Sequence, residues 1–179
     1  MTLYKDKYRI ESTRLKDWDY SRSGYYFVTI CTQDKKCFFG DVIDEKVRLS
    51  AIGEIVADEW QKTVQIRKNV SLDTWIIMPN HLHGIVIIND NEPHGNTQKG
   101  ESYDNKFGPQ ANNLSSIIRG FKSATTKRIH RVRYDFSWQS RFYDHIIRNE
   151  KSLNKIREYI INNPLKWELD KNNPANLFM

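Results

Sequence analysis

Two histidines, His81 and His83, stand two residues apart inside an apolar stretch that runs to Ile88. On a β-strand, side chains alternate between faces, so both imidazoles project to one side and Leu82 to the other. Two imidazoles on one side suit a divalent metal. The same pattern also suits two buried, hydrogen-bonded histidines. Two ligands fall short of the four that close a structural zinc site, so the metal reading is an open site with positions left for water or phosphate. Cys31 and Cys37 could add sulfur ligands, but their spacing matches no ligand signature.

A second pair of candidates lies near the C-terminus. Tyr159 and Asn163 are four residues apart and share one face of an expected helix. Leu153, Ile156 and Ile160 form its apolar stripe, with Tyr159 at the edge. A tyrosine there ordinarily packs its ring and leaves its hydroxyl at the rim; a phenol is also a nucleophile. The side-chain oxygen of Asn163 is an available metal ligand, and Asn163 is equally a helix-ending residue before Pro164.

The charge is concentrated. The whole chain of 179 residues carries 28 basic and 22 acidic side chains, a formal +6. Residues 119–159 alone hold 11 basic and 4 acidic groups, a net +7, and leave the rest at −1. A localised basic patch attracts polyanions. Phe121, Trp138, Phe142 and Tyr143 lie within it, and aromatic rings among cations suit the exposed base faces of single strands. A solvated helix face with ordinary core aromatics gives the same composition.

These residues need elements to hold them. Residues 24–32 (GYYFVTICT) read as a buried strand, and 37–42 as a short one. Ser50 is a helix N-cap, and Ile52, Ile55, Val56, Trp60 and Val64 predict an amphipathic helix over 51–67. Residues 72–78 and 81–88 are two strands joined by Pro79-Asn80, a hairpin. Leu114, Ile117, Ile118, Phe121 and Ala124 mark a helix over about 113–132, whose other face carries Arg119, Lys122, Arg128 and Arg131. A strand is expected over 137–147 and a last helix from an Asn149 cap to Asn162-Asn163. Strand–helix–strand–strand–helix–strand is the split βαβ order of a ferredoxin-like α+β fold, an antiparallel sheet with helices on one face, here with an appended C-terminal helix. The domain spans 24–167, after a polar lead-in over 1–23 and before a short polar tail over 168–179. Residues 89–112, rich in Asn, Gly and Pro, read as a mobile loop.

Composition narrows the class. Aromatic residues make up 12% of the chain, which speaks against disorder. No apolar run approaches the roughly 18 residues of a membrane span. Two cysteines are too few for a disulfide framework. The expectation is one cytoplasmic, reduced domain without a secretory signal or membrane partner.

The string Met78-Pro79-Asn80-His81-Leu82-His83-Gly84-Ile85-Val86 resembles the HUH motif (histidine, hydrophobic, histidine) of single-tyrosine transposases. The runs Trp138-Gln139-Ser140-Arg141-Phe142-Tyr143-Asp144-His145 and Glu158-Tyr159-Ile160-Ile161-Asn162-Asn163-Pro164 resemble the REP-associated tyrosine transposase group, relatives of the transposases of the smallest bacterial insertion sequences. Gly24 to Thr29 and the Trp75–Pro79 strand are similar too, so the resemblance covers about residues 20–166.

The resemblance implies a ferredoxin-like core, a Mg or Mn site at His81, His83 and Asn163, and Tyr159 as nucleophile. It implies cleavage and rejoining of single-stranded DNA through a 5′-phosphotyrosine, on strands carrying short palindromic hairpins, by a monomer or a homodimer. Arg141 and His145 lie in a family motif and are candidates for DNA contact, with Arg119, Lys122, Arg128 and Arg131 as backbone contacts. The chain departs from compact members in its longer 89–112 loop and in the short stretch after Pro164. A catalytically silent single-strand binding module of the same fold is one alternative. An HUH nuclease of replication or plasmid transfer is another, though such nucleases ordinarily sit in much longer chains. A two-histidine phosphoesterase would carry two His-x-Thr/Ser repeats, and this chain has one His-x-His.

Overall fold

A computed structural model describes residues 15, 18–90 and 113–176. The 89–112 loop, beyond its first two residues, most of the 1–23 lead-in and the last three residues lie outside the described set. The hairpin that carries both histidines is the centre of the architecture. Its strands β4 (Val70–Met78) and β5 (His81–Ile88) pair antiparallel, and β5 pairs on its other side with β1 (Gly24–Cys31). Strand β6 (Tyr143–Ile147) closes the far side of β1, giving the antiparallel order β4-β5-β1-β6. This is the split βαβ arrangement expected from the sequence.

The two faces of the sheet do different work. Tyr26, Val28 and Ile30 of β1 and Leu82, Val86 and Ile88 of β5 face the main core. Helices α1 (Ala51–Ile66) and α2 (Leu114–Ile129) supply its other half through Val56, Trp60, Ile117, Ile118 and Phe121. Both start at side-chain caps: Ser50 accepts from Gly53 N, and Asn113 and Ser116 form a capping box. Gly84 interrupts the core-facing row of β5 because the Trp60 ring lies over it; a Cβ there would sit 2.8 Å from Trp60 Cζ2.

Phe27, Ile85 and Ile147 lie on the opposite face, where the stripe Leu153 and Ile160 of α3 (Glu150–Ile161) packs with Ile156 at its margin. Asn149 caps this helix through Ser152 N at 2.8 Å. A β-bulge between Leu72 and Trp75 interrupts the ladder at Asp73, whose carboxylate takes two hydrogen bonds from Arg157 of α3, Nε to Oδ1 at 3.0 Å and Nη2 to Oδ2 at 2.5 Å. That pair holds the Asp73 carboxyl down at about 2.

Three local expectations change. The strand expected over 37–42 is half of a hairpin, β2 (Gly40–Ile43) with β3 (Lys46–Leu49). Its turn residues Asp44 and Glu45 both have positive φ, the geometry of a tight two-residue hairpin turn. The strand expected over 137–147 is confined to Tyr143–Ile147. Ahead of it Trp138 makes an isolated bridge with Thr32 and packs its ring against Phe39, Phe121 and Phe136, and Lys122 Nζ donates to the carbonyls of Gln139 and Arg141, so the ladder is interrupted between Trp138 and Tyr143. After α3 the chain runs through short 3₁₀ turns, Pro164–Leu169 and Pro174–Asn176, and returns to the hairpin turn, where Asn80 Nδ2 donates to Asn172 O at 2.6 Å.

Two outcomes follow. Gly84→Ala overpacks Trp60 and lowers stability by about 1–3 kcal/mol in urea unfolding. Asp73→Asn costs about 1–2 kcal/mol at pH 7. Because the folded carboxyl titrates below its unfolded value, that contribution is present above about pH 4 and fades as pH falls toward 2, so the two unfolding curves converge in acid.

Candidate active site

Strand alternation places His81 and His83 on the α3 side of the sheet, opposite the main core. Both are buried, His81 fully. The backbone register sets Thr29 beside His83 and Cys31 beside His81. Thr29 Oγ1 lies 2.9 Å from His83 Nδ1. Asn80 Oδ1 lies 2.8 Å from His81 Nδ1. The amide orientation of Asn80 is fixed, because its Nδ2 donates to Lys35 O and Asn172 O. An amide oxygen only accepts, so His81 carries its hydrogen on Nδ1 and its lone pair on Nε2.

The two Nε2 atoms converge at 3.0 Å. Two nitrogen ligands about 2.1 Å from one ion at a right angle stand about 3.0 Å apart, so the pair fits adjacent positions of an octahedral cation. Burial holds both rings neutral: His81 is pushed down to about 3 and His83 well below its ordinary value, with the neighbouring His81 adding to the effect. Neutral imidazoles bind metal without first losing a proton.

Helix α3 brings Tyr159 over this pair. Its hydroxyl lies 3.3 Å from His83 Nε2, and 41% of the residue stays exposed. Phe27 sets the ring's angle, edge-on to Tyr159 at 6.0 Å and stacked on His83 at 5.5 Å. Burial raises the Tyr159 phenol above its ordinary value, with the Asp170 carboxylate adding to the rise, so the hydroxyl is protonated at neutral pH. Asn163 is buried against both the His81 ring and the Tyr159 hydroxyl. Its Oδ1 takes no hydrogen bond. A buried carbonyl oxygen without a donor is a costly group in the absence of a cation. The donor set of His81, His83 and Asn163 therefore fits a divalent ion.

Asp170 is a residue the sequence reading missed. One carboxylate oxygen of Asp170 and one ring nitrogen from each histidine lie within 4.8 Å of one another. Asp170 sits in the stretch read as a polar tail, and no spacing signal marks it; the link is Asn80, which pulls that stretch onto the hairpin. Thr29 and Asn80 were also missed. Their signal was present, because Asn80 is the hairpin turn and Thr29 sits opposite His83 in register.

The basic residues fall on different sides. Helix α2 packs on the sheet face away from the histidines, so Arg119, Lys122, Arg128 and Arg131 do not gather round Tyr159. Arg128 is paired with Asp58 and Glu59 of α1. Lys122 is half-buried beneath the 139–141 segment, and burial lowers its amine to about 8. Arg119 and Arg131 are exposed. Arg141 and His145 are exposed on the other side: His145 shares the histidine face beside Phe27, and Arg141 lines the groove that opens at Tyr159.

The chain is 38% identical over 172 residues to an uncharacterized protein of Haemophilus influenzae, covering 89% of this chain and 91% of that one. It is 26% identical over 149 residues to a REP-associated tyrosine transposase of the same organism, covering 83% of this chain and 74% of the relative. A solved structure of a REP-associated tyrosine transposase bound to a REP hairpin shares the fold, with a TM-score of 0.60 at 22% identity, over 88% of this chain and 74% of that one. No family model matches the chain. Among the described residues, no helix is long and apolar enough to cross a membrane. In sequence the chain is thus similar to a REP-associated tyrosine transposase, and it shares the fold of a solved one.

Proposed function

We propose that the protein cleaves and rejoins single-stranded DNA through a covalent 5′-phosphotyrosine at Tyr159. The observation that carries this reading is the Tyr159 hydroxyl 3.3 Å from His83 Nε2, which itself meets His81 Nε2 at 3.0 Å. A nucleophile thus stands beside a donor set suited to a cation. His81, His83 and Asn163 would hold a divalent metal, Mg or Mn, and Asp170 is placed to add a hard oxygen ligand. Bound there, the metal would polarise a non-bridging oxygen of the scissile phosphate and neutralise charge that builds in the transition state.

The chain's own residues do the rest. Thr29 and Asn80 orient the imidazoles. Phe27 and the apolar stripe of α3 fix the tyrosine. Tyr159 Oη forms the new bond to phosphorus, the bond from phosphorus to the 3′-oxygen breaks, and the phenol proton is balanced by protonation of that 3′-oxygen. A phenol, with a pKa of about 10, leaves more readily than a sugar hydroxyl, so a second 3′-hydroxyl can displace it and rejoin the strand without ATP. The solved relative bound to a REP hairpin supports strands with short palindromic hairpins as the substrate.

Manganese added at about 100 times its dissociation constant should raise unfolding stability by about 2.7 kcal/mol, and His83→Ala should remove that gain. Oligonucleotides bearing the short palindromes that flank the gene, incubated with Mn²⁺, should yield a denaturation-resistant adduct. Tyr159→Phe should abolish the adduct and leave DNA affinity within about twofold, because only the nucleophilic oxygen is lost. An adduct that persists in Tyr159→Phe would assign the nucleophile elsewhere, and a wild-type protein that binds these strands without an adduct would refute the reaction.

A further inference from the structure

A groove of about 440 Å³ opens directly from the Tyr159–His83 contact along the start of β6. Tyr143 forms one wall. It lies opposite Thr29 in register, so its ring is on the histidine face, held edge-on by Phe27 at 6.2 Å. Even so, 58% of the residue is exposed. A large aromatic ring anchored at one edge and open over a catalytic groove is a stacking platform. Arg141 and Lys171 also line the groove, and both are exposed.

The walls are built. Lys122 reaches from the far side of the sheet to the carbonyls of Gln139 and Arg141 at 2.6 and 3.0 Å, and so fixes the segment that leads into Tyr143. Lys171 is carried by the stretch that Asn80 and Lys35 tie down, through Asn172 O and Lys171 O. The volume is that of a small-ligand site. A face for one base, two cations for its phosphate and direct continuity with the nucleophile together specify one occupant. We propose that this groove is a base-stacking subsite that receives an unpaired nucleotide adjoining the scissile phosphate, with its base on Tyr143 and its phosphate toward Arg141 and Lys171.

The inference rests on the reading of the protein as acting on single strands, and its test is separable from that of the chemistry. In a Tyr159→Phe background, which leaves no nucleophile, fluorescent dT10 and a ten-residue abasic strand are titrated against Tyr143, Tyr143→Ala and Tyr143→Phe proteins. Tyr143→Ala should weaken dT10 about tenfold and leave the abasic strand unchanged, and Tyr143→Phe should retain dT10 binding. Equal dT10 affinity in all three, or equal losses on dT10 and the abasic strand, would overturn the subsite. As a second readout that needs no variant to fold, a strand carrying 5-iododeoxyuridine beside the scissile position should photocrosslink to the peptide containing Tyr143. Crosslinks confined to α2 peptides would overturn it as well. The adduct assay on wild-type protein reports on the chemistry alone.

Discussion

Two buried, neutral imidazoles whose Nε2 atoms converge at 3.0 Å are the constraint on which the rest of the structure depends. Nitrogen lone pairs 3.0 Å apart repel unless a proton or a cation lies between them, and a buried site cannot relieve this with bulk water. The fold imposes the arrangement. Strand alternation aims both rings to one side, the antiparallel register supplies Thr29, and the two-residue turn supplies Asn80. Helix α3 then brings Tyr159 beside them, and the turn that follows it brings the unpaired oxygen of Asn163. The ferredoxin-like sheet is thus a frame with one face given to the main core and the other to α3 and the histidine–tyrosine cluster.

The partition of the sheet also orders the electrostatics. The basic excess of residues 119–159 looks uniform along the chain, but folding distributes it. Arg128 is consumed in an inter-helix cluster with Asp58 and Glu59, and Lys122 braces a loop from below. Arg157 is spent on Asp73, which ties α3, the helix that carries Tyr159, to the edge strand β4. Arg141 and Lys171 line the groove that leads to Tyr159.

Much of this was legible in the sequence, for physical reasons. Alternation in an apolar strand is enough to set His81 and His83 on one face, and a stripe of Leu153, Ile156 and Ile160 is enough to put Tyr159 at a helix edge. The β-α-β-β-α-β order with its appended helix came from periodicity and caps. What could not be read depends on contacts between distant residues. Asp170 looks like tail until Asn80 is seen to hold Asn172. The basic face of α2 looks available until Asp58 and Glu59, about 70 positions away, are found against Arg128. The interrupted strand before Tyr143 shows the same thing: Trp138 bridges Thr32 and packs on Phe39, Phe121 and Phe136, partners that lie far from it in sequence or give no strand signal of their own.

The most direct measurement is a crystal of the protein soaked in Mn²⁺ and recorded at a wavelength where manganese scatters anomalously. The account predicts one strong peak within ligand distance of His81 Nε2 and His83 Nε2, in contact with the Asn163 oxygen and within a few ångströms of the Tyr159 hydroxyl. A peak elsewhere with none between the histidines, or a tyrosine ring turned away from the bound ion, would contradict it.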